Sequence, residues 1–215
     1  MFSVGTKLMG NFRAIILDFE TTGLSPNCGD RTIEAGAVVV EGGEIVDRFQ
    51  SLMNPGMRVS SFIESYTGIT NKMLSNAPPI AEVMTNLAKF IGRYHLVAHN
   101  ASFDRRFLDA EFARLGYSRR QEVACSMLLA RRIYPEAPCH TLETLVRYKK
   151  LQTTGIHHRA LADAEMTAHL WLSLVRDLKL NYSLRHVTFE LLMQLTKLPK
   201  AKVSSHLAQV AAGPQ

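Results

Sequence analysis

Apolar and polar positions fall into blocks of different period along the chain. Residues 13–20 are apolar until Asp18 and Glu20 and stop at Thr21-Thr22-Gly23, which predicts a buried strand running into a loop. Residues 32–40 and 44–52 flank Glu41-Gly42-Gly43, the pattern of a hairpin whose glycines supply positive φ. Residues 54–79 are polar and turn-rich. Beyond them, Val83, Leu87, Phe90 and Ile91 recur at helical spacing across 80–91.

The remainder alternates. His95–Ala98 and Glu122–Cys125 read as short strands, and helices are predicted over 101–115, 126–133, 141–148 and 160–178. Val187, Leu191, Leu192 and Leu195 mark one amphipathic helix from Asn181 to about Leu195, followed by a loosely patterned tail after Pro199. Strands first, then strands alternating with helices, predict an α/β fold: a mixed sheet flanked by helices. We expect one main domain over residues 10–178 and a C-terminal helical extension and tail over 179–215.

Composition narrows the class. With 215 residues, 47% hydrophobic and 20% charged, the chain can bury a core. Cys28, Cys125 and Cys139 have no paired spacing, which argues against a disulfide framework or a zinc site. No run suggests a signal peptide or a membrane span, so the expectation is a cytoplasmic protein with no membrane partner. The formal charge of +6 is compatible with a polyanionic partner.

Candidate chemistry lies in three segments. Asp18 and Glu20 stand two apart on one strand, so both side chains leave the same face. Such a pair is either a solvated strand end or a site whose charge is compensated by cations. Asp104 and Asp163 sit in the first turns of two predicted helices, where each alone would only complement the helix dipole. Asn100 or Ser102 is expected to cap the first of these helices. His158 precedes Asp163 by five residues. Together, four hard oxygen ligands suit Mg²⁺ or Mn²⁺, and a histidine suits proton abstraction from water.

In order, Asp18-Phe19-Glu20, His99-Asn100-Ala101-Ser102-Phe103-Asp104 and His158 to Asp163 resemble the three motifs of the DnaQ-like DEDDh exonucleases. The resemblance spans roughly residues 12–176 and leaves His157 out of register by one. Asp18 to Leu24 is most similar to the polymerase III proofreading subunits and related stand-alone enzymes, and His99 to Arg106 also to the exonuclease X-like ones. The resemblance implies a ribonuclease H-like fold and metal-dependent 3′→5′ exonucleolysis at single-stranded or frayed DNA ends, releasing 5′-mononucleotides. It implies that Asp18, Glu20, Asp104 and Asp163 hold two Mg²⁺ or Mn²⁺ ions and that His158 is the general base. It also implies terminal-nucleotide contacts from Thr21, Thr22, Gly23, Thr67, Ile69 and Phe103, with Thr67 standing where many proofreading subunits have His. By the same resemblance, the C-terminal extension is expected to offer a contact to a DNA polymerase partner or to have a local structural role. Cleavage of RNA, or a non-catalytic nucleic-acid-binding or polymerase-docking role, are the alternatives. Glu34 is expected to support the site from the next strand.

Overall fold

The computed structural model describes residues 13–153 and 158–213. Its centre is a five-stranded sheet in the order β3-β2-β1-β4-β5. The strands are β1 (Ala14–Thr21), β2 (Thr32–Glu41), β3 (Glu44–Leu52), β4 (His95–Ala98) and β5 (Val123–Cys125). β1 pairs antiparallel with β2 and β2 with β3, whereas β4 lies parallel to both β1 and β5. The β2–β3 hairpin turns on Gly42 and Gly43 at φ 60° and 92°, as the glycine pair predicts.

The central strands are buried on both faces, and strand periodicity divides their side chains between two cores. Ile15, Leu17 and Phe19 point into one core with α3 (Ile80–Ile91) and α4 (Ser102–Arg114). Ala14 and Ile16 point into the other with α5 (Ser126–Ile133), α6 (Leu142–Tyr148) and the long α7 (Ala160–Tyr182). Asp18 and Glu20 share the parity of the second set, so they emerge on the α7 side where the apolar run ends.

The sequence expectations need correction in three places. The stretch 54–79 is not wholly turn: it holds α1 (Ser61–Thr67) and α2 (Asn71–Ser75), capped by the hydroxyls of Ser60 and Thr70. The first residue of α4 follows Ala101, and no side chain caps it. Asn100 instead takes φ 62° to turn the chain out of β4, and Ser102 is already helical. At the C-terminus, α7 continues to Tyr182, and the single helix and tail are replaced by α8 (Phe189–Lys197) and α9 (Lys200–Ala212).

The last two helices belong to the fold physically. Phe189, Leu191, Leu192, Leu195, Val203 and Leu207 are buried in the same core as Trp171 and Leu174 of α7. Arg132 of α5 donates to the carbonyls of Thr196 and Leu198 at 3.1 and 3.0 Å. It thereby satisfies orphan acceptors at the end of α8. Among the described residues, no helix is long and apolar enough to cross a membrane.

Candidate active site

The site forms where the two layers meet at the C-terminal end of β1. Asp18 and Glu20 come from β1, Asp104 from α4 on one side of the sheet, and His158 and Asp163 from the start of α7 on the other. Register explains how α7 arrives. Asp18 pairs with Gly36 and Glu20 with Glu34 across β1 and β2. A Cβ on Gly36 would lie 2.1 Å from the Ala160 carbonyl carbon and 2.2 Å from the Leu161 nitrogen. Only a residue without a side chain lets the α7 backbone approach the sheet this closely.

Glu34 then fixes the helix. It is fully buried, and its carboxylate accepts from Arg159 Nε at 3.1 Å, Arg159 Nη2 at 2.8 Å, the Ala160 backbone N–H at 3.0 Å and Gln50 Nε2 at 2.8 Å. A strand carboxylate thus meets the first N–H of α7, which Arg159 does not cap with its own side chain. Its charge is matched by a guanidinium in forked geometry.

On the other side, the Phe19 backbone N–H donates to Asp104 Oδ1 at 3.1 Å, drawing the start of α4 onto β1. The His158 backbone N–H donates to Asp163 Oδ2 at 3.0 Å, with His158 at φ 59°. One donor atom each from Glu20, His158 and Asp163 lie within 4.8 Å of one another. His157 lies outside the described residues.

Electrostatically the cluster is under-compensated. Burial, then the charges of Asp104, Asp163, Glu20 and Glu34, hold the Asp18 carboxyl well above the usual carboxylate range. Glu20 is pushed up to about 8, by burial first and then by Asp163, Glu34 and Asp104, against a lowering by Arg159. Burial raises Asp104 to about 7 despite its backbone hydrogen bonds. Arg159 is already engaged by Glu34. The residues therefore fit a hard divalent cation: several oxygen donors converge, and their mutual repulsion leaves negative charge to be neutralised.

The expected nucleotide contacts divide. Thr21 Oγ1 donates to the Gly23 carbonyl at 2.6 Å, and Thr22 Oγ1 accepts from the Arg31 N–H at 3.0 Å while facing Asp30 Oδ1 at 3.3 Å. These hydroxyls stitch the loop after β1, and Gly23 leaves room for the Asp30 carboxylate, which a Cβ would meet at 2.4 Å. Leu24, next in the loop, is 78% exposed. Phe103 is half-buried against Phe107, ring centroids 5.0 Å apart.

Thr67 closes α1, and Ile69 follows it just beyond Gly68. Thr67 is buried, donating to the Ile63 carbonyl at 2.8 Å and accepting from the Ile69 N–H at 3.0 Å. Ile69 is fully buried in a satellite cluster with Ile33, Val59 and Leu74, so its side chain is not offered to the cleft. The same segment presents Tyr66 instead. Tyr66 packs against the His158 ring with centroids 4.0 Å apart and the planes tilted by 37°, and Phe62 stacks on Tyr66 at 5.7 Å. Tyr66 and Phe62 are 50% and 69% exposed, and their i, i+4 spacing on a helix face was the available signal. Burial and the charges of Glu20, Asp163 and Asp18 raise the Tyr66 phenol, placing it beside the carboxylates.

His99, within the second motif, is structural. Its Nε2 lies 3.0 Å from the His140 carbonyl and Nδ1 2.9 Å from Ser126 Oγ. Because a carbonyl only accepts, Nε2 carries the proton in this arrangement. Burial lowers the ring to about 4, so it is neutral at pH 7.

Known proteins share this sequence pattern and fold. The RNase_T exonuclease family model matches residues 15–171. The PolC-type DNA polymerase III of Bacillus cereus is 40% identical over 172 residues, which are 80% of this chain and 12% of that protein. The chain thus spans about an eighth of the length of such relatives. Exonuclease X, solved in complex with 5′ overhanging duplex DNA, is 30% identical with a TM-score of 0.67, covering 85% of this chain and 99% of that one. The nuclease domain of 3′hExo, a DEDDh family member bound to rAMP, shares the fold at 20% identity and a TM-score of 0.66, covering 78% and 93%. A family match across most of the chain, ending within the helix that carries Asp163, makes this protein a member of the RNase_T exonuclease family.

Proposed function

We propose that the protein is a metal-dependent 3′→5′ exonuclease that hydrolyses phosphodiester bonds at single-stranded or frayed DNA 3′ ends and releases 5′-mononucleotides, as in proofreading or repair. The observation that carries this reading is the convergence of four carboxylates and His158 on one sheet end, where burial and mutual repulsion hold Asp18 and Glu20 above the usual carboxylate range. Asp18, Glu20, Asp104 and Asp163 would hold two Mg²⁺ or Mn²⁺ ions. When bound, such a pair stabilises both the attacking and the leaving oxygen of an in-line displacement.

The chain supplies the rest. His158 accepts the proton of the attacking water as the new O–P bond forms and the bond to the 3′ oxygen breaks. Its backbone is pinned to Asp163 and its ring is held against Tyr66. Thr21, Thr22 and Gly23 shape the loop that receives the terminal nucleotide, with Phe103 beside it. Exonuclease X, crystallised on DNA, supports DNA over RNA as the substrate.

The PolC-type relatives carry the matching segment inside a polymerase, which supports a polymerase as partner and a cytoplasmic site of action. On this reading residues 10–178 perform the chemistry. Residues 179–215 extend that unit, and α8 and α9 brace it by sharing the α7 core.

The test uses 5′-labelled single-stranded DNA and matched RNA with Mg²⁺, Mn²⁺ or EDTA, and Asp163→Ala alongside. A metal-dependent ladder shortening from the 3′ end on DNA, absent in the variant, is expected. A ladder on RNA alone would transfer the activity to exoribonucleolysis. Binding without any shortening would leave a docking module.

A further inference from the structure

A second surface lies away from the carboxylates. Two openings, of about 1210 and 810 Å³, share Arg119, Gln121, Glu122, Met193 and Lys197 in their linings, so they form one continuous groove. One end reaches Pro26, Asn27, Arg105 and Arg106, beside the loop after β1 and the first turns of the helix that carries Asp104. The groove then follows α4 past β5, with α8 as the opposite wall, to Lys89 in the last turn of α3 and Arg93 just beyond it. The 13 residues of α4 make this path about 20 Å long.

The lining is cationic: basic side chains outnumber acidic ones seven to three. Two of the cations are engaged, Arg119 with Asp109 at 2.8 Å and Lys197 with Glu122 at 3.6 Å. Lys89, Arg93, Arg105 and Arg120 are exposed and pair with no carboxylate among the described residues. Their charge contributes nothing to the fold through ion pairs. Tyr117, 43% exposed, places an aromatic face in the same groove.

Resting on the exonuclease reading above, we propose that this groove holds the single strand on the 5′ side of the scissile end. The backbone phosphates lie along Arg105, Arg120, Arg93 and Lys89, and a base stacks on Tyr117. Unpaired cations following one path, with an aromatic platform in it, are what a sequence-tolerant single-strand track requires. The groove opens beside the catalytic loop, so a strand held there enters the site end-first. Held this way, it would stay bound between successive cleavages.

The test separates the groove from the chemistry. Fluorescent oligothymidylates of 2 and 20 nucleotides are titrated in EDTA against the full chain and its Arg93→Glu/Arg120→Glu variant. Hydrolysis of the p-nitrophenyl ester of thymidine 5′-monophosphate in Mn²⁺ reports the site alone. Affinity for the 20-mer should fall at least 10-fold in the variant. The salt dependence should weaken by about 0.7 in the log–log slope for each phosphate that the variant no longer neutralises. Binding of the 2-mer and ester hydrolysis should keep their wild-type values. An unchanged 20-mer affinity and slope would overturn the proposal, as would an equal loss on both oligonucleotides. Failure of the wild type to cleave the ester would defeat the exonuclease reading, while the length-dependent binding would still decide the groove. Arg105→Ala is the second variant, and its expected effect on the 20-mer has the same sign.

Discussion

Glu20 and Glu34 face each other across β1 and β2, yet only Glu34 has its charge met within the protein. Glu34 is enclosed by Arg159, the Ala160 N–H and Gln50. Glu20, its partner in register, is left beside Asp18, Asp104 and Asp163 and takes up a proton at about 8. One carboxylate of the pair builds the site and the other is left to use it.

The Arg159–Glu34 pair should therefore matter more than its position at the edge of the third motif suggests. Arg159→Ala leaves a fully buried carboxylate without its cation, a loss of about 3–5 kcal/mol by analogy with other buried pairs. Denaturant melts of Arg159→Ala, Glu34→Gln and the double variant check this. The double variant should recover much of the single-variant loss, whereas additive losses would show that the two residues act independently.

Gly36 is expected to tolerate no side chain. Gly36→Ala forces the start of α7 off the sheet, since the new Cβ would lie 2.1 Å from backbone. Overpacking of this kind costs about 1–3 kcal/mol. Displacing Asp163 and His158 by even 1 Å should lower kcat by about 100-fold. Circular dichroism at 20 °C should show retained secondary structure, so the activity loss exceeds the folding loss.

Stability without metal should fall as pH rises. Asp104 and Glu20 have raised proton affinities, about 7 and 8, against ordinary carboxylate values near 4 in the unfolded chain. The folded state binds more protons across that interval. Its advantage is complete below about pH 4 and is lost as pH climbs through 7 and 8. Thermal melts in EDTA should give a lower Tm at pH 8.5 than at pH 6. Added Mn²⁺ should raise Tm more at pH 8.5, and an equal rise at both pH values would remove the carboxylates as its binding site. Asp163→Ala should raise the metal-free Tm by relieving repulsion.

His99 predicts an acid limb of the opposite sign. Its folded value of about 4 lies below the ordinary 6.5, so its contribution is complete above pH 6.5 and disappears as pH falls towards 4. The loss is at most about 3 kcal/mol. His99→Gln, which keeps one donor and one acceptor but does not titrate, should flatten stability between pH 6.5 and 4 while the exonuclease rate at neutral pH stays near wild type.

Much of this was legible in the chain, for identifiable reasons. The two-residue spacing of Asp18 and Glu20 is fixed by strand geometry, and the glycine pair fixed the hairpin. Nothing in local pattern brings Asp104 and Asp163 to the same sheet end; only the resemblance did. The Glu34–Arg159 lock spans 125 positions, so no window of sequence contains it. His99 read as part of a motif because burial and the His140 carbonyl are invisible in sequence. Helices α1 and α2 were missed because 7 and 5 residues give too few apolar positions to establish a period. Helix α9 was missed because its buried face reduces to Val203 and Leu207. The burial of Ile69 was not legible because an apolar residue beside a motif gives no sign of which way it faces.

The central claim is tested most directly by identifying the product. Wild type and Asp163→Ala are incubated with an unmodified single-stranded DNA 20-mer in Mn²⁺ or EDTA, and the released species are separated by chromatography and mass. The account predicts deoxynucleoside 5′-monophosphates from the wild type in Mn²⁺ only, and none from the variant. Nucleoside 3′-monophosphates, internal fragments, or equal release by Asp163→Ala would contradict it.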